Sequence, residues 1–381
     1  MQPEVMIEES EERTAKRTSL TVAAFYALIA FEFFYMASPF AAYFYAGYLP
    51  GLKILQLSSV TARLTGFFLP HLVTDTSSFL VNSAPFLGAF LTAVGLAGFA
   101  FGAVQIYSRK LRKMGAATGG VYKVLRHPQY ASLIVAGAGL LLLWPRNLMA
   151  VLFVTMLFVY TILARIEEQE CLRLYGDSYR DYMMRVPGIL PVKIPLIGCI
   201  PKPRTGVGRV AALLVLYVAA QALTLATVFA VQNYTIAQLH AVAGRDSVYV
   251  ALDRVEASRI RDLAGMAETD PGVRSRLSAL RQDGVRFVNY VMPQEWAVSE
   301  IQMNGPRTHE TPAEYNRSKF KIIYTRAILP APGDVSGQAI LKQASGTRAL
   351  FEAWVGEDGQ IEKILEPPAK AFYGDVPVPV Y

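Results

Sequence analysis

Tyr122, Arg126, His127, Pro128 and Tyr130 combine, within a few residues, side chains able to do chemistry together. Arg126 offers a permanent cation, and His127 a ring that titrates near neutral pH. Pro128 fixes the backbone and suits the first position of a helix, while Tyr130 adds a ring and a hydroxyl. Later in the chain come Arg165, Glu167, Glu168 and Glu170, then Tyr175-Gly176-Asp177, Tyr179 and Tyr182. Carboxylates facing a cation and an imidazole would make a polar site for a cationic or hydroxyl-rich ligand group. A second reading makes Arg126 an interface anchor and treats Arg165–Glu168 and Glu170–Arg173 as (i, i+3) pairs on a solvated face. The residue types alone leave both open.

The elements that must position these residues are apolar. The chain of 381 residues is 53% hydrophobic and 18% charged, against about a quarter charged for a soluble domain. Membrane spans are expected at 20–48, 85–107 and 210–231, each long enough for the ~20 residues of a bilayer crossing. Between the two motif blocks, 130–144 is short for a full crossing, Trp144-Pro145-Arg146-Asn147 is a turn signal, and 148–164 runs back. Whether it crosses or only dips in, such a hairpin returns both ends to one membrane face. Arg126 to Tyr130 and Glu167 to Glu170 are therefore expected to be neighbours. Gly88, Gly95, Gly98 and Gly102 suit close helix packing.

Charge orients the hairpin. Between Ser19 and Gln232 there are 17 Lys/Arg against 7 Asp/Glu, and 14 of those cations fall in 109–126 or 165–209. The positive-inside rule places the motif blocks in the cytoplasm. Lys53, Arg63 and Arg146 fall on the other side. No basic stripe separates from the spans, which argues against nucleic acid. Cys171 and Cys199 are too few for a disulfide framework or a zinc cluster, and no metal site is expected.

The flanking regions are less informative. Residues 1–19 read as a cytoplasmic tail before a retained anchor helix, with no signal-peptide cleavage site. The aromatics of the first span read as packing and interface belt. Its acid, Glu32, is either a substrate-cavity group or a structural hydrogen-bonding partner of a neighbouring helix. Residues 50–83 read as an external loop, with a short interfacial helix near 64–72. Residues 233–381 read as an α+β domain on the outer side, near neutral in charge. One helix is expected over 255–281, strands over 285–291, 319–329 and 350–354, and a hairpin turn at Gly356-Glu357-Asp358-Gly359. His240 and His309 read as isolated surface histidines. The architecture is thus an α-helical integral membrane protein of about five transmembrane helices, including the short hairpin. The membrane domain covers 20–232, with a motif core at 105–191.

The pattern Gly120-x-Tyr122-x-x-x-Arg126-His127-Pro128-x-Tyr130 resembles the signature of the isoprenylcysteine carboxyl methyltransferases and their phospholipid methyltransferase relatives. Glu167-Glu168, Tyr175-Gly176, Tyr179, Tyr182 and Val186-Pro187 resemble that family's second block, and the likeness covers roughly 105–191. It implies an S-adenosylmethionine cofactor at the cytosolic helix ends and a hydrophobic or lipid-linked acceptor entering from the bilayer. Tyr122, His127, Pro128, Tyr130, Glu167 and Glu168 would bind the cofactor, Arg126 and Glu167 would act in catalysis, and Tyr179 would line the substrate cavity. Sterol-type membrane reductases share the Arg-His-Pro-x-Tyr element with an acid soon after the tyrosine. Here Ala131-Ser132-Leu133 follows, so a nicotinamide-dependent reductase is the second reading. A third is a membrane-anchored binding or assembly protein whose outer domain meets a protein partner.

Overall fold

The computed structural model describes residues 50–111, 118–189, 206–304, 309–329, 335–369 and 380–381. The expected first span, Glu32 and the amino-terminal tail lie outside the described residues. The chain divides into two compact units, one of them residues 1–53 with 372–376. The other, Ile54–Ala371 with Pro377–Tyr381, holds everything below.

Three helices are long and apolar enough to cross a membrane, and a shorter apolar helix accompanies them. They are α1 (Phe79–Leu111), α3 (Asn147–Arg185) and α4 (Gly206–Gln238), with α2 (Pro128–Leu143) as the short one. Helix α1 begins before the expected start and takes Pro85 inside it. The reason is polar: the Ser78 hydroxyl accepts the Val81 amide at 3.4 Å, and Asn82 accepts the Thr76 amide at 2.9 Å. The first bond satisfies a donor of the opening turn, and the second ties the chain just before the helix to it.

Helices α1 and α2 touch through their backbones. A Cβ on Gly95 would lie 2.3 Å from the Ala136 amide nitrogen, and one on Gly139 would lie 2.5 Å from that of Thr92. The small residues are thus what permits this approach. Between α3 and α4 polar groups join the packing: Thr155 and Tyr217 hydroxyls lie 2.9 Å apart, and Gln221 donates to the Val151 carbonyl at 3.1 Å.

The α2–α3 turn is strapped by the segment expected to be an external loop. Arg146 is buried, donates to the Thr65 carbonyl at 2.7 Å, and lies 4.6 Å over the Phe67 ring. The interfacial helix expected at 64–72 is not there. Ser58 caps a helical turn at Ser59–Ala62, a 3-10 turn follows at Arg63–Thr65, and the chain then leaves helical geometry. Pro70 disfavours helix at the residue before it. Leu72 and Val73 instead enter the core of the carboxy-terminal sheet.

That sheet has six strands in sequential order: β1 (Ala241–Ala243), β2 (Ser247–Ala251), β3 (Phe287–Pro293), β4 (Phe320–Ile328), β5 (Gly346–Val355) and β6 (Ile361–Leu365). Only the β2–β3 pair is parallel, with helices α5 (Ala257–Thr269) and α6 (Pro271–Gln282) in its crossover. Both faces are covered. Ile260, Leu263, Val273 and Leu277 pack on one, and Leu72, Ile236 and Trp296 on the other.

Strand β2 is buried throughout and escapes the alternation test for this reason. The single helix expected over 255–281 is two, because Asp270 is extended before Pro271 and its carboxylate caps the Gly272 and Val273 amides at 2.8 and 3.0 Å. The expected β5–β6 turn closes with Gly356 donating to the Gln360 carbonyl at 2.9 Å.

Neither His240 nor His309 is isolated. His309 Nδ1 lies 3.3 Å and His71 Nε2 3.5 Å from opposite oxygens of Glu300, and His240 lies 3.9 Å from Asp75. The antiparallel bridge Ala297–Glu310 brings the Glu300 and His309 segments together, a pairing that sequence distance conceals.

Candidate functional site

The motif loop is tied down before its side chains are used. Gln105 of α1 donates to the Gly119 carbonyl at 2.5 Å and accepts the Val121 amide at 3.3 Å. A 3-10 turn, Gly120–Lys123, buries Tyr122. The Arg126 and His127 amides then donate to the Pro187 and Gly188 carbonyls at 2.9 and 3.3 Å. Pro128 opens α2 at the first helical position, as expected.

His127 precedes α2 but its side chain does not cap the helix. It reaches across to α3, with Nε2 3.0 Å from Glu168 Oε1 and Nδ1 3.4 Å from Glu167 Oε2. Arg126 Nη2 lies 3.2 Å from the same Glu168 oxygen, and the Tyr130 hydroxyl donates to Glu167. The hairpin therefore brings its two blocks together as its topology requires. Glu168 turns to Arg126 and His127 rather than serving only as a solvated partner of Arg165.

Two carboxylates around one imidazole favour the doubly protonated ring, since both nitrogens then donate. Burial pushes the His127 pKa down, but its hydrogen bonds to Glu167 and Glu168 outweigh that and hold it above the ordinary value. Arg126 and Glu168 are each 14% exposed at the side chain, whereas Glu167 is 51% exposed. Glu167 is the more open of the two carboxylates.

The rings form a stack. His127 and Tyr130 centroids lie 5.5 Å apart and those of Tyr130 and Tyr160 5.0 Å, both at 9°. Tyr160 was not singled out in the sequence, although it lies seven residues before Glu167, two helical turns along one face.

Gly176 explains the Tyr-Gly element of the second block. Its φ of 54° and ψ of −132° break α3, in a region essentially closed to residues with a Cβ. After the break the Tyr182 hydroxyl donates to the Tyr122 carbonyl at 2.5 Å. Tyr179, expected to line the substrate cavity, is 7% exposed and packs against the Tyr182 ring at 5.5 Å. The Tyr122 phenol is pushed up to about 12, by burial first and then by Glu167 and Tyr182. Its hydroxyl and Arg126 Nε are buried with no hydrogen-bond partner among the described residues. Among those residues no group of three or more His, Cys, Asp or Glu is arranged to hold a metal ion.

The comparisons with known proteins agree with the motif blocks. Residues 84–178, about a quarter of the chain, match the family model described as phospholipid methyltransferase. No curated protein and no solved structure matches the chain.

Proposed function

We propose that this protein is an integral membrane methyltransferase that uses S-adenosylmethionine on a hydrophobic or lipid-linked acceptor. The match at 84–178 to the phospholipid methyltransferase family supports a membrane methyltransferase of that kind. The observation that carries the finer reading is the convergence of Arg126, His127, Tyr130, Glu167 and Glu168 at the open end of a helical hairpin.

The donor set fits the cofactor. S-adenosylmethionine presents an anionic carboxylate, a cationic ammonium, ribose hydroxyls and a flat base. Arg126, whose buried Nε has no hydrogen-bond partner among the described residues, suits the carboxylate, and the Tyr122 hydroxyl, likewise without one among them, offers another polar contact. The half-exposed Glu167 suits the ammonium or the ribose hydroxyls. His127, Pro128, Tyr130 and Glu168 would complete the binding wall. Bound there, the cofactor would supply an electrophilic methyl group on a sulfonium.

The protein's own contribution is then positioning and exclusion of water, with no covalent nucleophile. Glu168 holds Arg126 and His127 in place from behind, and the Tyr130–Tyr160 stack fixes the ring that hydrogen-bonds Glu167. Arg126 would also steer an anionic group of the acceptor. The apolar helices below the site support entry of that acceptor from the bilayer. The charge asymmetry favours a cytoplasmic motif face and an outer carboxy-terminal domain.

Calorimetric titration of S-adenosylhomocysteine into the detergent-purified protein tests the reading. Binding is expected for the natural protein and a loss of at least tenfold for Glu167→Ala. An absence of binding in folded protein overturns the methyltransferase assignment and redirects the search to nicotinamide cofactors and the outer domain's partners.

A further inference from the structure

A second polar cleft lies at the opposite end of the hairpin from the motif site. Its lining brings together Arg63, Gln232, Asn233, Lys342 and Ser345, with Phe229 among its apolar groups. The two cations come from distant elements: Arg63 from the strap over the α2–α3 turn, and Lys342 from α7 (Ala339–Gln343) beside the sheet. No acidic residue lines the cleft, and no carboxylate pairs with either cation among the described residues.

Depth is given by neighbours. Gln232 and Asn233 lie in the last two turns of α4, whose side chains at Leu214, Val218 and Leu223 are exposed along its apolar length. Trp144 and Tyr234 occur at this same end, Tyr234 half-exposed with its hydroxyl 2.9 Å from Ser78 Oγ. Such aromatics belong at the boundary between hydrocarbon and headgroups. The cleft thus offers cations and amides above, and a helix face for acyl chains below. Helix α2 spans 16 residues between the two ends, about 24 Å of rise, so this cleft is separate from the motif site.

We propose that this cleft binds the phosphate group of a phospholipid on the membrane face opposite the motif blocks. Arg63 and Lys342 supply the charge, and Gln232 and Asn233 supply amide donors. Free phosphate shares the chemistry and is the other source the test separates. The site would anchor the sheet domain against the membrane surface independently of methyl transfer.

The test uses the full-length protein in neutral maltoside micelles. Native mass spectrometry follows retention of dioleoyl phosphatidylglycerol and of dioleoylglycerol, which has the same chains without phosphate. Retention of about one phosphatidylglycerol per chain is expected, with dioleoylglycerol lost. At about a factor of five per headgroup-facing cation, the Arg63→Gln/Lys342→Gln variant should need about thirty-fold more lipid, and each single variant about fivefold. Glu167→Ala should retain the lipid unchanged, which separates this site from the proposed catalytic one. Inorganic phosphate that displaces the lipid at equal concentration assigns the site to free phosphate; phosphate that does not compete assigns it to the lipid. Equal retention of dioleoylglycerol, or unaltered retention in a double variant with unchanged melting temperature, overturns the proposal.

Discussion

The two ends of the hairpin carry mirror-image clusters. At the motif end one histidine, His127, sits between two carboxylates, and Arg126 balances the second. At the turn end one carboxylate, Glu300, sits between His71 and His309. The ring of His71 packs against Trp144 at 4.6 Å, so this second cluster links the sheet domain to the α2–α3 turn. The difference lies in what is left open. Glu167 is half-exposed at the motif end, whereas both oxygens of the more buried Glu300 face imidazoles. Under the proposed function the open carboxylate is the one that meets a ligand, while the one engaged on both oxygens ties segments of the chain together as a clasp.

The largest break in this comparison is expected from Glu168→Ala. It leaves two nearly buried cations, Arg126 and His127, without their shared oxygen, and breaking such a pair costs about 3 kcal/mol. The expected outcome is a marked fall in melting temperature together with lost S-adenosylhomocysteine binding. Glu300→Ala should lower stability less and leave that binding intact.

Gly176→Ala comes next. A residue with a Cβ is strained at φ 54°, ψ −132°, at a cost of about 2 kcal/mol. Denaturant unfolding measures this, and weakened cofactor binding should accompany the displaced Tyr182–Tyr122 contact. Tyr160→Leu should cost about 1 kcal/mol through the lost stack. Cofactor affinity should drop while phosphatidylglycerol retention at the other end stays constant. Equal loss of both would show that the two ends are not independent.

The smallest effect is the pH response of the clasp. Burial pushes the Glu300 carboxyl up, but hydrogen bonds from His309 and His71 hold it well below its usual range. The hydrogen bond to Glu300 raises His309, against burial. A depressed carboxyl stabilises the fold above its unfolded pKa of about 4.5, and a raised histidine stabilises it below about 6.5. The contribution of the clasp is therefore greatest between those values and is lost as pH rises through the elevated His309 pKa, or as it falls toward the depressed Glu300 pKa. Melting temperatures across pH 5 to 9 should show an alkaline decline that His309→Gln flattens, by about 0.5 kcal/mol for a pair whose histidine is 39% exposed.

The two clusters were unequally legible in the sequence. The motif end could be read because Arg126 to Tyr130 and Glu167 to Glu168 flank a single hairpin, and the turn at Trp144 to Asn147 forces their ends together. The clasp joins His71, Glu300 and His309 through the sheet domain and could not be read from spacing. Strand β2 was hidden for a related reason: burial on both faces removes the alternation that marks a half-exposed strand. The Asp270-Pro271 break was visible in residue types but outweighed by the helical composition around it.

The sequence by itself determined the apolar helices, the charge asymmetry, the hairpin and the residues at its open end, because these follow from local composition and short-range connectivity. Tertiary structure alone decided that Glu168 serves both Arg126 and His127 while Glu167 stays open, that Tyr160 underlies Tyr130, and that the strap over the hairpin turn enters the sheet's core. Those outcomes depend on how the α1–α2 backbones close at Gly95 and on the turn at Gly176, where packing distance and backbone geometry select among contacts that composition leaves equally available.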